Sequence, residues 1–208
     1  MKMLKDDIRE RILDTAKAFF LEKGYARTSM REIAEAAGVG LGNIYNYFPG
    51  KDAILTSILQ PLTDSLEHML VQHHGQDADV MLMMTDRYYL DCVNEYMLLI
   101  KKYRKSMKIL FFGTQGSCME HYIEDFSDRA TGLTMEWFGR MGKLHAEMNT
   151  DVSAFTIHLH TVWMIVFLKE ILMHDLDGPE LERAMSEYIS FEINGWKQFV
   201  KEGKTWIY

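Results

Sequence analysis

The chain is short of several things, and each shortage narrows what it is. It has only two cysteines, Cys92 and Cys118, and they form no CxxC pair. That excludes a disulfide framework, and both are expected to be reduced thiols of a cytoplasmic protein in buried structural roles. Three prolines in 208 residues, with no Ser/Pro-rich or Gln-rich tract, argue against long disordered linkers. Alternating apolar and polar runs bounded by turn residues do not recur, so sheets are not expected. The greasiest run, Val162 to Leu168, has His158, His160, Lys169 and Glu170 close by. It falls short of the roughly 18 apolar residues of a membrane span and is expected to be a buried helix. The stretch from Met1 to Arg11 is charged, which speaks against a secretory signal or an anchor.

An overall excess of positive charge is also missing, since 23 Lys and Arg face 30 Asp and Glu for a net charge of −7. The distribution is uneven. Residues 1–51 hold nine basic and seven acidic side chains, whereas the remainder holds 14 and 23. A mildly basic head on an acidic body suits a chain whose first segment meets DNA and whose body repels it.

Chemistry-bearing groupings are sparse. His158 and His160 are two apart and point to different faces of a helix, while Glu170 and His174 lack a third ligand nearby. No serine or cysteine sits in a nucleophile-elbow context. Gly38-Val39-Gly40-Leu41-Gly42 has GxGxG spacing after a helical segment, where a dinucleotide loop needs GxGxxG after a strand. Gly50-Lys51 has Tyr45 where a phosphate-binding loop needs glycine. The expectation is no enzyme, no cofactor and no metal.

Helical periodicity is present throughout. Ile8, Ile12, Leu13, Ala16, Phe19 and Phe20 share one face of a first helix, capped by Asp6 or Asp7 and stopped by Gly24. Ser29-Met30-Arg31-Glu32 fits a capping box opening a second helix to about Ala37, which Gly38 ends. A third runs from about Leu41 to Tyr47, broken by Phe48-Pro49-Gly50-Lys51. Further helices are expected over 52–73 with a kink at Pro61, 77–103, 106–114, within 117–141, over 151–174, and from Pro179 to about Lys201. The fold class is therefore all-α. A small three-helix head over residues 1–50 precedes a larger helical body over 51–208.

The segment from Thr28 to Phe48 carries the functional argument. Ile33, Ala34 and Ala37 face inward from one helix and Val39, Ile44 and Phe48 from the next, with small alanines allowing a close crossing about Gly38. That is a helix-turn-helix, whose second helix enters the major groove. The exposed set on this second helix is Leu41, Gly42, Asn43, Tyr45, Asn46 and Tyr47, polar, aromatic or small and without charge. Asparagine pairs with adenine, leucine touches a thymine methyl, and tyrosine hydroxyls reach phosphates. Arg31 is placed to reach a base edge and Lys51 a phosphate.

Gly24-Tyr25, Thr28-Ser29, Glu32-Ile33-Ala34, Ala37-Gly38-Val39, Gly42 through Phe48 and Lys51-Asp52 resemble the signature of the tetracycline-repressor (TetR) family over the first quarter of the chain. The resemblance implies an all-helical homodimer with a variable ligand-binding body, and it places Thr28, Ser29, Arg31, Leu41, Gly42, Asn43, Tyr45, Asn46, Tyr47 and Lys51 at the DNA. Gly40 stands where the family often has Ser or Thr, and Leu41 where a polar or basic residue is common.

The body holds most of the 16 methionines and many aromatics, a composition that adapts to varied apolar ligands. Tyr88, Cys92, Tyr96, Phe111, Tyr122, Phe126, His158, Trp163 and Phe167 are the candidate ligand contacts. The last two helices are apolar on enough faces to build a homodimer. The expected function is a cytoplasmic repressor that binds double-stranded DNA at a palindromic operator and leaves it when a small apolar or aromatic effector binds, with no membrane partner. The alternative is a DNA-binding helical protein whose body binds another protein.

Overall fold

A computed structural model describes residues 2–201, with side chains from Asp6 onward, and contains no strand among them. The expectations placed on the side chains of residues 1–5 and on residues 202–208 lie outside the described residues. The helices are α1 (Lys2–Lys23), α2 (Met30–Ala36), α3 (Leu41–Ile44), α4 (Lys51–His74), α5 (Val80–Met83), α6 (Asp86–Phe112), α7 (Tyr122–Leu144), α8 (Ala154–Met173) and α9 (Gly178–Lys201). The all-α class is as expected.

Local chemistry sets most of the boundaries. Gly24 and Gly38 end α1 and α2 with φ of 77° and 65°, a left-handed conformation that glycine adopts without strain. Ser29 caps α2 with the full reciprocal capping box. Ser153 caps α8 by accepting the Thr156 N–H at 3.1 Å. Pro179 falls in the first turn of α9, where its missing N–H costs nothing.

Three boundaries differ from the sequence reading. The helix expected over 77–103 is divided by a turn at Met84-Thr85, where the Thr85 hydroxyl accepts the Tyr88 N–H at 3.2 Å and restarts the chain as α6. That helix then runs unbroken to Phe112 and absorbs the separate helix expected over 106–114, because no breaker stands between Tyr103 and Ser106. The third helix stops at Ile44 rather than Tyr47. There the Asn46 and Tyr47 N–H groups donate to Asn43 and Ile44 carbonyls three residues back, a tighter turn than the α-helix. Pro61 lies inside α4, which continues through it.

The chain forms two compact units. One comprises the residues up to Leu66 together with Tyr103–Ile123, and the other Glu67–Lys102 together with the residues from Glu124 onward. The divisions lie within α4, α6 and the first turn of α7. In the first unit Ile12, Ala16 and Phe20 of α1 are buried with Ile33, Ala34, Ile44 and Phe48, all expected to point inward. In the second, Trp137, Phe138 and Met141 of α7 are buried with Val80, Val152, Ile157 and Val200. The Trp137 indole N–H donates to the Ala78 carbonyl at 2.8 Å, so this large ring is buried without an orphaned donor.

The second core makes stability depend on pH. His74 ends α4 with its ring edge-on to Trp137 at 5.4 Å. Burial, then the charge of His73, hold its imidazole down to about 3. The folded chain keeps it neutral, whereas an unfolded chain protonates it near the ordinary value of about 6.5. Its contribution is thus complete above that value and is lost as pH falls from there toward 3. His74→Phe is expected to flatten the loss of urea stability between pH 7 and pH 5. An unchanged slope would assign that loss to other groups.

One expectation about the apolar helix is also revised. The run was expected to be a buried helix, yet only 28% of the most apolar 18-residue stretch of α8 is buried, and as a whole α8 is long and apolar enough to cross a membrane. Such a helix is weak evidence of a membrane, and its polar positions are used within the unit, as where the Thr161 hydroxyl donates to the Ile157 carbonyl.

Candidate nucleic-acid interface

The α2–α3 pair is held by short-range bonds. The Val39 N–H donates to the Ala34 carbonyl at 2.8 Å, and the Gly38 N–H to the Glu35 carbonyl at 3.1 Å, closing the turn. Ser29 and Glu32 exchange their capping bonds, and Lys23 of α1 reaches Glu32 at 2.6 Å. Lys23 and then Ser29 hold the Glu32 carboxyl down to about 2. With its inward residues committed to the core, the pair presents its other face to solvent.

That outer face is largely the one expected. Leu41 and Tyr45 are 46% and 51% exposed, and Gly42, Asn43 and Asn46 are also exposed, as are Ser29 and Arg31 on α2. Tyr47 is half-buried. The Asn46 amide donates to the Asn43 side-chain oxygen at 3.0 Å, so the two asparagines form a pair that presents both amides together. Space around Gly42 is open, and Gly40 caps α3 with no side-chain bond.

Two of the ten residues are placed otherwise. Thr28 is buried, and its hydroxyl donates to the Gly24 carbonyl at 2.9 Å. Lys51 turns its ammonium inward, donating to the Tyr25 and Thr28 carbonyls at 2.7 and 2.6 Å and standing 3.9 Å from the Tyr25 ring centroid. Burial lowers its pKa from the ordinary lysine value. Lys51 therefore pins the α1–α2 connection to the start of α4.

A second clasp was not visible in the sequence. The Tyr25 N–H donates to the Gly113 carbonyl at 2.8 Å, and the Cys118 N–H donates to Asp52 at 3.0 Å. The loop after α6 is thereby bound to the head. Burial, then the Asp52 carboxylate, push the Tyr25 hydroxyl above the usual phenol range. The Cys118 N–H keeps Asp52 below the usual carboxylate range. Cys92 is buried as expected, but Cys118 is exposed, with its N–H on Asp52 and its thiol 3.6 Å from the Thr56 hydroxyl.

The candidate ligand residues divide into groups. Phe111 and Tyr122, both half-buried, belong to the first unit; the other seven belong to the second. Tyr88, Cys92 and Tyr96 follow one another along α6. Burial pushes the Cys92 thiol up to about 11 and both tyrosine hydroxyls well above their ordinary range. The Tyr88 hydroxyl lies 2.9 Å from His73, whose other ring nitrogen is 2.7 Å from Glu95. Phe167 stacks on Tyr188 at 4.0 Å, and the Tyr188 hydroxyl is buried with no hydrogen-bond partner among the described residues. Phe126 is buried on α7, and His158 is half-buried beside Thr131 and Asp128. Trp163 is exposed on α8 and lines a groove between α8 and α9. Tyr188 was not singled out in the sequence, since nothing in its local context marks it.

An all-helical head with a closed helix-turn-helix, an uncharged reading face and a separate helical body defines a DNA-binding regulator. Residues 12–58 match the family of bacterial regulatory proteins, tetR family. The chain is 24% identical over 166 residues to the HTH-type transcriptional repressor KstR2 of Rhodococcus jostii, spanning 78% of this chain and 79% of that protein. It is 30% identical over 92 residues to the HTH-type transcriptional regulator TtgR of Pseudomonas putida, spanning 44% of each. The fold is shared with NalD of Pseudomonas aeruginosa, the secondary repressor of the MexAB-OprM multidrug efflux pump. The TM-score is 0.65 at 20% identity, over 96% of this chain and all of that one.

Proposed function

We propose that this regulator is a cytoplasmic homodimeric repressor. In this reading it holds a palindromic operator through Ser29, Arg31, Leu41, Gly42, Asn43, Tyr45, Asn46 and Tyr47, and releases it when a small apolar or aromatic molecule enters the body. The observation that carries the reading is the exposed, uncharged Asn43–Asn46 pair on a helix whose other side is locked into the core. Thr28 and Lys51 act at one remove by fixing the turn. Phe155 of α8 and Phe191 of α9 are 72% and 64% exposed, and Leu159 and Met173 are exposed with them. Such faces suit an interface between two copies. Two-fold symmetry then sets the recognition helices about 34–36 Å apart, matching successive major grooves. Tyr88, Cys92, Tyr96, Phe126 and Phe167, gathered in the second unit, are the proposed effector contacts. An effector acts by binding better to the conformation with the wrong spacing.

Selection of bound duplexes from a random pool is expected to return a palindrome, bound by a dimer in light scattering. A monomer at micromolar concentration, or no enriched sequence, would refute the proposal. Asn43→Ala is expected to weaken operator binding about 5–150-fold, the loss of roughly 1–3 kcal/mol from one specific base contact. Gly42→Ala is the cleaner probe. A Cβ there meets nothing within 4 Å in the protein, and alanine favours a helix by about 0.5–1 kcal/mol. Unchanged or higher stability with weaker operator binding is the expected combination. Unaltered binding by both variants would remove α3 from the interface. A shift in melting temperature on adding a small molecule, accompanied by operator release, tests the effector.

A further inference from the structure

The tight turn that ends α3 early brings Asn43 and Asn46 together. In an α-helix two residues three apart stand about 60° from each other around the axis, whereas in the tighter turn they eclipse. Tyr45 has φ −69° and ψ −13°, and the Asn46 N–H donates to the Asn43 carbonyl at 3.0 Å. The side chains repeat that backbone bond, with Asn46 Nδ2 donating to Asn43 Oδ1 at 3.0 Å. Ile44 and Phe48 are buried on either side of the turn, and the Phe48 N–H donates to the Ile44 carbonyl at 3.1 Å. The turn is thereby anchored to the core, while both asparagines stay exposed.

The bond makes the two amides unequal. Asn43 turns its side-chain carbonyl to Asn46. Asn46 gives up one of its two N–H groups and keeps the other, together with its carbonyl oxygen. One N–H beside one carbonyl is the edge that fits adenine in the major groove. The N–H donates to N7 and the oxygen accepts from the N6 amino group. Guanine carries the acceptor O6 where adenine carries that amino group, so it sets two oxygens face to face. Arginine and lysine, the usual readers of guanine, do not occur between Leu41 and Tyr47. An amide held before DNA arrives also costs less to order on binding. We propose that Asn46 reads an adenine in each half-site and that Asn43 is a positioning residue, which fixes the Asn46 amide and reads no base of its own. The proposal rests on the operator reading above and divides the work within it.

The test uses the full chain and the selected operator, with every base pair of the half-site changed in turn for each variant. Asn46→Ala and Asn43→Ala are both expected to lose preference at one and the same adenine, each by about 5–150-fold. The double variant is expected to lose no more than either, as for two residues acting through one contact. Replacing that adenine with its 7-deaza analogue, which lacks only the N7 acceptor, is expected to weaken the wild type and leave both alanine variants unaffected. Asn43→Asp retains an acceptor for the Asn46 N–H. It is expected to keep the adenine preference while its charge lowers affinity for every sequence alike. Preferences are ratios within one variant, so a loss of folded protein does not imitate them. Relaxation at two different base pairs, with additive losses in the double variant, gives Asn43 a base of its own and overturns the proposal. A cytosine preference appearing in Asn43→Asp does the same, as does wild-type indifference to the 7-deaza analogue. These outcomes leave the repressor standing. If the wild type selects no palindrome, both readings fall together.

Discussion

Replacing Lys51 with methionine is expected to lower stability by about 2–3 kcal/mol and to weaken operator binding at the same time. Methionine keeps an apolar stem of similar length over the Tyr25 ring but has no donor. The Tyr25 and Thr28 carbonyls, now bonded to the ammonium at 2.7 and 2.6 Å, lose a charged partner in a half-buried position. Thr28 immediately precedes the Ser29 cap, so the loosened segment is the one that aims α2 and, through the 38–39 turn, α3. Urea unfolding and a mobility-shift titration at several salt concentrations give the two quantities. A lysine that only touched phosphate behaves differently. Its loss lowers the salt slope by about one unit and leaves stability unchanged. That outcome would return Lys51 to the role its sequence position suggested.

Gly113→Val is expected to cost about 1–3 kcal/mol and to break the second clasp, because the added atoms meet backbone rather than a flexible side chain. A Cβ at Gly113 lies 3.2 Å from the Ile109 carbonyl oxygen and 3.3 Å from that of Phe20, and the Gly24 position faces Gly113 in turn. Relief requires α1 and the end of α6 to separate, which lengthens the 2.8 Å bond from the Tyr25 N–H to Gly113. Gly113→Ala is expected to cost less, since a few tenths of an ångström of movement absorb a single methyl. Wild-type urea stability for the valine variant would show that the approach is looser than the distances imply. Asp52→Asn probes the same clasp at Cys118 without steric change and is expected to be the milder variant.

The head was legible because its determinants are local. The Ser29–Glu32 box spans three residues, Gly24 and Gly38 act on their own backbone, and the periodicity of Ile33, Ala34, Ala37 and Ile44 declares which face is buried. The same reasoning read the surface of α3 correctly at Leu41, Asn43, Tyr45 and Asn46. It put Lys51 and Thr28 at the DNA, and the structure bonds both to carbonyls of the chain, since a polar side chain at a helix end has the same sequence whether it points out to a phosphate or in to a carbonyl. It expected Cys118 to be buried, whereas the residue is exposed and is held through its N–H by Asp52 and through its thiol by Thr56, contacts between distant residues that no local pattern marks. Phe111 and Tyr122 fall in the first unit and Tyr88, Cys92 and Tyr96 in the second, a division that runs through α6 and that composition does not mark.

The sequence by itself determined that the chain is helical throughout, that residues 28–48 form a helix-turn-helix, and which of its faces is apolar. These follow from period, caps and glycine conformation, all settled within a few residues. Only the tertiary structure decided what holds the helix-turn-helix in place: Lys51 on two carbonyls, and Gly113 and Cys118 reaching it from the far end of α6. It likewise decided that Asp151, His160 and Glu192 share one aromatic groove. Such contacts join residues tens of positions apart, and no local pattern encodes them. Their geometry is fixed only when the cores close and each remaining polar group has to find a partner.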